Sequence, residues 1–220
     1  VDVFACQNKL IGGDHQTNNY DVVFGDDPYA GTARDGDGHG THTSSTSAGN
    51  IVEDVEALGR DLPAIQGLAP GAWVIEYKVC GPQGCLSSDS AGAVGQAILD
   101  GVDVINFSIS GGEQPFSDPT ELAFLDAYAA GVFVSASAGN NGPGAGTANH
   151  LSPWTTTVGA STQTREFATT LSLTATGGDT VTVDGAAITA GAGPLPVVLA
   201  QSLPGYPADC GTPAPAGAFA

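Results

Sequence analysis

The sequence has 220 residues, of which 41% are hydrophobic, and its five Lys and Arg against 23 Asp and Glu give a net charge of −18. Such a chain can bury a core, which excludes an intrinsically disordered protein, and its charge disfavours nucleic acid and anionic membranes as partners. No apolar run is long enough to span a bilayer, and no basic-then-apolar signal segment opens the chain.

The first informative stretch is "DGDGHGTH" at 35–42, which has three interpretations. A calcium loop needs a carboxylate at its twelfth position, where a threonine stands, and a paired-histidine metal site lacks a third ligand. In the third interpretation, Asp37 caps a helix that ends at Gly49 or Asn50. His39 then lies in the first turn, where the positive helix end favours a neutral imidazole that can accept a proton.

From residue 72 onward, strand-like and helix-like segments alternate. Runs of β-branched and aromatic residues predict strands, and apolar residues at helical spacing predict helices. The predicted strands cover 72–79, 102–108 and 132–138, and the predicted helices cover 87–101 and 117–131. This order with short links predicts an α/β fold with a parallel sheet covered on both faces.

The two predicted helices carry their own start and stop signals. Serines can cap the first helix and Gly101 can end it. In the second helix, Ser117 or Asp118 is the predicted cap, Pro119 lies in the first turn and Gly131 ends it. The residues predicted to form its apolar face are Leu122, Leu125 and Ala129.

The character of the sequence changes after a further strand-like stretch at 154–162. Residues 167–185 alternate with period two around "GGD" and predict an antiparallel hairpin, whereas 191–220 is rich in Gly, Pro and Ala. We therefore expect a domain boundary near residue 164.

Two loops are candidates for a functional site. Sites in open parallel sheets form beyond the carboxyl ends of strands, and two predicted strands end at 108–112 ("SISGG") and 139–144 ("GNNGPG"). We expect these loops to lie side by side. Their exposed amides suit an extended peptide or a developing oxyanion better than a metal.

The four cysteines bear on the compartment. Cys80 and Cys85 bracket a Pro/Gly turn that could bring them within disulfide reach, which together with the acidic, Lys-poor composition suits an extracellular protein. Two reduced buried thiols are the alternative. Cys6 and Cys210 have no partner that the sequence identifies.

Five blocks in order give the sequence a family resemblance. They are "DGHGTHT" (37–43), "GLAPGAWVIEYKVC" (67–80), "GVDVINFSISGG" (101–112), "SASAGNNGP" (135–143) and "PWTTTVGAST" (153–162). Together they resemble the subtilisin-like serine proteases, or subtilases, and most closely secreted members similar to plant cucumisin-like and bacterial enzymes. The resemblance implies a three-layer subtilisin-like fold with a central parallel sheet, incomplete here, over 1–163. It also implies that 164–220 begins a protease-associated β domain.

The resemblance also implies roles for individual residues. His39 would be the general base, and Asn140 would donate to the oxyanion. Ser108, Ile109, Ser110 and Gly111 would bind the backbone of protein or peptide substrates in extended form. No cofactor is implied for the chemistry. Structural calcium is common in the family, but a solvated loop is the favoured interpretation of the acidic stretch "GDDPYAG".

The other two members of the family's triad lie outside the matched blocks. Subtilases place an Asp in an Asp-Thr-Gly or Asp-Ser-Gly block and the nucleophile in a Gly-Thr-Ser block, and neither occurs here. Together with the absence of Met, this predicts an inactive fragment of a secreted endopeptidase that works through a Ser-His-Asp triad and an acyl-enzyme. The alternative is a pseudoprotease domain that binds peptides without cutting them. The sequence predicts no oligomeric state.

Overall fold

The computed structural model describes residues 7–199, 202, 204–206, 212 and 217. These residues form two compact units. The first contains the described residues up to Val55 together with Leu62–Arg165, and the second contains Glu56–Asp61 together with those from Glu166 onward. No helix within the described part of the chain is both long and apolar enough to cross a bilayer.

The described helices, in chain order, are α1 (Asn18–Val23), α2 (His39–Ala48), α3 (Ser87–Asp100) and α4 (Pro119–Ala129). The described strands are β1 (Leu10–His15), β2 (Val55–Ala57), β3 (Arg60–Leu62), β4 (Val74–Lys78), β5 (Cys80–Gly81), β6 (Gly84–Cys85), β7 (Val104–Phe107), β8 (Phe133–Ser137), β9 (Thr156–Val158), β10 (Thr169–Thr174) and β11 (Thr180–Gly185).

A three-stranded parallel sheet in the order β7-β8-β9 forms the centre of the first unit. Phe107 pairs with Ala136, so β7 and β8 end at the same edge. The predicted strand at 72–79 is present as β4, but it pairs in parallel with β1, and no ladder joins it to β7 among the described residues. The sequence did not predict β1, because its "LIGGDH" lacks a strand-like run.

The two long helices begin and end largely where the sequence predicted. Gly101, in the left-handed region with φ of 75°, ends α3, and the Asp118 carboxylate caps α4 by accepting from the amides of Thr120 and Glu121. The prediction of a serine cap for α3 is wrong. Leu86 occupies the cap position and makes no side-chain cap bond.

The hydrophobic core lies between α3, α4 and the strands β7 and β8. Phe124 is fully buried and meets Phe107 edge to face, with ring centroids 5.1 Å apart. The predicted apolar face of α4 is wrong, because Leu122 and Leu125 are 41% and 38% exposed. The buried face instead includes Glu121, a polar residue that a count of apolar periodicity does not include.

The second unit contains the hairpin that the sequence predicted. Strands β10 and β11 pair antiparallel with Thr174 opposite Thr180, and Gly178 takes a φ of 94° at the turn. The interpretation of 164–220 as the start of a protease-associated domain stays a prediction.

Candidate active site

His39 is the first residue of α2. Gly38 is the cap residue with a φ of 95°, a conformation that glycine adopts without strain. The predicted cap was Asp37, which is wrong, because the helix amide at Thr41 is instead satisfied by the Asp35 carboxylate, at 2.8 Å. The α2 helix ends at Gly49, as predicted.

Asp35 holds the whole turn that precedes His39. Its Oδ1 accepts from the amides of Asp37 (2.9 Å) and Gly38 (2.8 Å), and its Oδ2 accepts from the amide and the hydroxyl of Thr41, the latter at 2.6 Å. Desolvation alone would raise the pKa of Asp35. The hydrogen bonds from the Thr41 hydroxyl and the three amides outweigh it and hold the pKa well below its usual range.

The imidazole of His39 is exposed and makes no hydrogen bond to any described residue. His42, on the next turn of α2, is also exposed. No group of three or more His, Cys, Asp or Glu that could hold a metal ion is found in the described part of the chain.

The loops after β7 and β8 lie side by side, as predicted. A Cβ added to Gly139, whose φ is 75°, would lie 3.5 Å from the Ser110 hydroxyl and 2.3 Å from Asn149 Oδ1. Asn140 follows Gly139 directly and is exposed. No hydrogen bond within the described residues joins Asn140 to His39, and their convergence on one catalytic centre stays a prediction.

The segment from Ser108 to Gly112 is held from one side by residues that the sequence analysis did not identify. The carbonyl of Ile109 accepts from His150 Nε2 (2.8 Å) and from the Ser137 hydroxyl (3.3 Å). Asn149 Oδ1 accepts from the Gly111 amide at 3.3 Å, and the His150 amide donates to the Gly111 carbonyl at 3.2 Å.

The backbone of Ser110 lies between these bonds. Its own N–H and C=O have no hydrogen-bond partner among the described residues, and the residue is exposed. A strand edge with unpaired backbone groups can pair with another extended chain. The main-chain groups of Ser110 are therefore available for a peptide.

Glu121 and His150 have a sequence signal that could have identified them. Glu121 lies three residues before Phe124, so it shares the buried face of α4. A carboxylate on a buried face needs a partner, and an unassigned histidine close in the fold is a candidate.

A small cavity of about 40 Å³ adjoins this segment. It is lined by Phe107, Ile109, Ser110 and His150, and by Cys85 and Leu86 from the start of α3 and the strand before it. Cys85 forms a disulfide with Cys80, as predicted, across the two-stranded ladder of β5 and β6. Cys6 and Cys210 lie outside the described residues.

The carboxylates of "GDDPYAG" have protein partners. Asp26 accepts from the Tyr20 hydroxyl at 2.7 Å and from Gln83 Nε2 at 3.0 Å, and these hydrogen bonds, Gln83 first, lower its pKa. Asp27 pairs with Lys78 at 2.6 Å. The loop is therefore tied to neighbouring residues, and Asp26 stays exposed to solvent, in agreement with the predicted solvated loop.

Comparisons with known proteins agree with the parallel fold and the matched blocks. The subtilase family model matches residues 6–198, so this chain belongs to the subtilase family. The chain is 42% identical over 166 residues to Subtilisin-like protease SBT1.7 of Arabidopsis thaliana, covering 74% of this chain and 22% of that protein. It is 48% identical over 139 residues to Subtilisin-like protease SBT1.6 of the same plant, covering 61% and 18%.

The chain thus spans about a fifth of the length of these curated relatives. Among solved structures, Sphericase is 32% identical, with a TM-score of 0.35 over 40% of this chain and 29% of that chain. Family membership confirms the resemblance drawn from the five blocks.

Proposed function

We propose that this chain carries the general base, the oxyanion donor and the substrate-binding edge of a secreted subtilisin-like serine endopeptidase. His39 accepts the proton of the attacking serine, and the Asn140 side chain donates a hydrogen bond to the oxyanion of the tetrahedral intermediate. The serine and the triad aspartate are supplied from outside the matched blocks. The chain by itself is therefore expected to bind peptides without cutting them.

One observation carries the proposal. The unpaired backbone of Ser110 lies on an exposed edge directly beside the loop that bears Asn140. An extended substrate that pairs with Ser110 would pass close to Asn140. The Asn140 side chain could then donate a hydrogen bond to the oxygen of the substrate carbonyl that the serine attacks. Because the pairing uses main-chain groups, it accepts many substrate sequences, and the adjoining cavity tunes the choice of side chain.

The His39 end of the proposal has a geometric basis of its own. The ring is exposed at the start of α2, so the attacking serine and a bound substrate can reach it. The proposed chemistry needs no cofactor. Structural calcium is common in the family, and that family likeness is the sole basis for including such an ion in the proposal. The Cys80–Cys85 disulfide supports an extracellular location.

The first test is peptide binding by the chain itself. We expect a capped Ala-Ala-Ala-Ala-Phe peptide to bind, as measured by calorimetry. The same peptide with N-methyl groups on alternate amides should bind at least about tenfold more weakly, because it cannot pair as a strand. Equal binding of the two peptides would contradict strand pairing.

The second test concerns catalysis and uses the product of the complete reading frame that carries this chain. We expect a serine-directed fluorophosphonate probe to label it, and His39→Ala to abolish the labelling. Asn140→Ala should lower the rate of peptide hydrolysis by about 100- to 1000-fold, a magnitude measured in a subtilisin and taken over from the family. Peptide binding without any labelling would favour a pseudoprotease.

A further inference from the structure

A buried glutamate–histidine pair lies directly behind the proposed substrate-binding edge. The Glu121 side chain is 0% exposed and that of His150 is 1% exposed, and their atoms Oε1 and Nδ1 are 2.5 Å apart. Burying a carboxylate and an imidazole is costly unless both are fully hydrogen-bonded. Neither residue belongs to the catalytic machinery proposed above, so the pair needs another explanation.

The hydrogen-bond partners fix the number of protons in the pair. His150 Nε2 faces the Ile109 carbonyl, which can only accept, so this nitrogen carries a hydrogen. Glu121 Oε2 accepts from the Ser152 hydroxyl, which marks the carboxyl group as an acceptor there. A second hydrogen must lie between Nδ1 and Oε1, so the two side chains are joined by a hydrogen bond and no buried polar atom of the pair lacks a partner.

The backbone at His150 is shaped for this contact. Its φ of 51° lies in the left-handed region, which a non-glycine residue adopts only where its surroundings hold it. The Thr157 hydroxyl donates to the His150 carbonyl, and the His150 amide donates to the Gly111 carbonyl at 3.2 Å. The ring is thereby presented towards Ile109 from a fixed backbone.

The Ile109 carbonyl and the Ser110 N–H belong to one planar peptide group and point in opposite directions. The bond from His150 Nε2 to the Ile109 carbonyl, with that from the Ser137 hydroxyl, therefore fixes the direction of the Ser110 N–H. In the next peptide group, the bond from the Gly111 amide to Asn149 fixes the Ser110 carbonyl in the same way.

We propose that Glu121 and His150 are positioning residues, which lock the Ile109–Ser110 peptide group so that the Ser110 N–H is aimed at a bound substrate strand. This rests on the proposed function, in which Ser110 pairs with the substrate. Glu121 acts through His150, and His150 acts through the Ile109 carbonyl.

The experiment compares the wild-type chain with Glu121→Gln and His150→Gln, and uses Phe124→Leu as the control. Phe124 packs against the His150 ring at 5.9 Å between centroids but takes no part in the hydrogen bonds of the pair. It therefore perturbs the same core without touching the charge or the Ile109 carbonyl.

Three measurements follow. Nitrogen-15 NMR of the wild type should find a hydrogen on Nε2 of His150, and a bare Nε2 would overturn its bond to the Ile109 carbonyl. Amide exchange at Gly111 should accelerate by about tenfold or more in both pair variants relative to Phe124→Leu, with Val134 in the core as the reference. The affinity for the capped Ala-Ala-Ala-Ala-Phe peptide should fall by about tenfold in the pair variants and by less than about twofold in the control.

The outcomes separate the two proposals. If the wild type binds no peptide, the proposed function fails, and the exchange of Gly111 still decides whether the pair locks the segment. If the wild type binds but the pair variants lose no more affinity than Phe124→Leu, the positioning role is overturned while the proposed function stands.

Discussion

Replacing Asp35 should destabilise the turn that precedes His39. The carboxylate accepts four hydrogen bonds, including one from the helix amide of Thr41, at distances between 2.6 and 2.9 Å. Losing a helix cap costs about 0.5–2 kcal/mol, and losing a negative charge at a helix N-terminus costs about 0.3–1 kcal/mol. We therefore expect Asp35→Ala to lower the free energy of unfolding of the first unit by about 1–3 kcal/mol.

The assay is urea unfolding followed by tryptophan fluorescence, because Trp73 and Trp154 both lie in the first unit. Asp37→Ala is the matched control. It lies in the same loop and removes the same charge, but only its backbone N–H is bonded to Asp35. We expect it to cost less than about 0.5 kcal/mol.

The pH dependence gives a second measurement of the same bond network. The folded-state pKa of Asp35 is lowered, so its contribution is fully present above the unfolded value of about 3.9 and is lost as the pH falls towards the folded value. The difference between wild type and Asp35→Ala should be constant from about pH 5 to 8 and shrink below about pH 4. A cost for Asp37→Ala equal to that for Asp35→Ala, or a difference that does not shrink in acid, would refute the reasoning.

Three further predictions concern the same unit. Gly112→Ala should destabilise it by more than about 3 kcal/mol in urea unfolding, because the new Cβ would lie 2.2 Å from a buried carboxylate oxygen. Gly146→Ala, with a similar positive φ and nothing within 4 Å, should cost only about 1 kcal/mol, and equal costs would contradict the close approach. Replacing Cys80 and Cys85 together by serine should cost about 2 kcal/mol from loop-closure entropy, checked against the oxidised wild type in the same assay. Burial raises the pKa of Glu76, and the charge of Asp35 adds to this effect, although a hydrogen bond from the Ser44 hydroxyl opposes it. The ionised carboxylate therefore destabilises the folded unit once the pH rises above the folded-state pKa. Glu76→Gln should stabilise the unit more at pH 7 than at pH 4 in urea unfolding, and the reverse order would show that the ionised carboxylate is stabilising.

The sequence predicted the elements better than the partners of individual residues. Local spacing carries information on strands and caps, and the strands at 102–108 and 132–138 and the Asp118 cap are confirmed. The cap of α2 could not be assigned the same way. Asp35 and Asp37 are both acidic residues before the helix, and only the path of the chain through two glycines decides which carboxylate reaches Thr41.

The buried pair shows a second limit. Glu121 follows a proline and a threonine near the start of α4, where an acidic residue is expected to face solvent and stabilise the helix dipole. Its burial depends on a histidine 29 positions further along the chain. Periodicity within one helix contains no information on such a distant partner. The family blocks could be recognised because each is a short contiguous segment that can be read directly from the sequence.

In the proposed substrate-binding edge, the Ile109–Ser110 and Ser110–Gly111 peptide groups are held from one side by His150, Ser137 and Asn149. The Ser110 N–H and C=O point to the opposite side, where the substrate is proposed to pair. In the proposed function, substitutions at 108 and 110 would change which substrate residues are preferred, while pairing with the substrate main chain would be retained. Substitutions at Glu121 or His150 would instead weaken the binding of all substrates alike, because they would disturb the main-chain pairing. Engineering of substrate preference should accordingly begin at positions 108 and 110 and leave Glu121 and His150 unchanged.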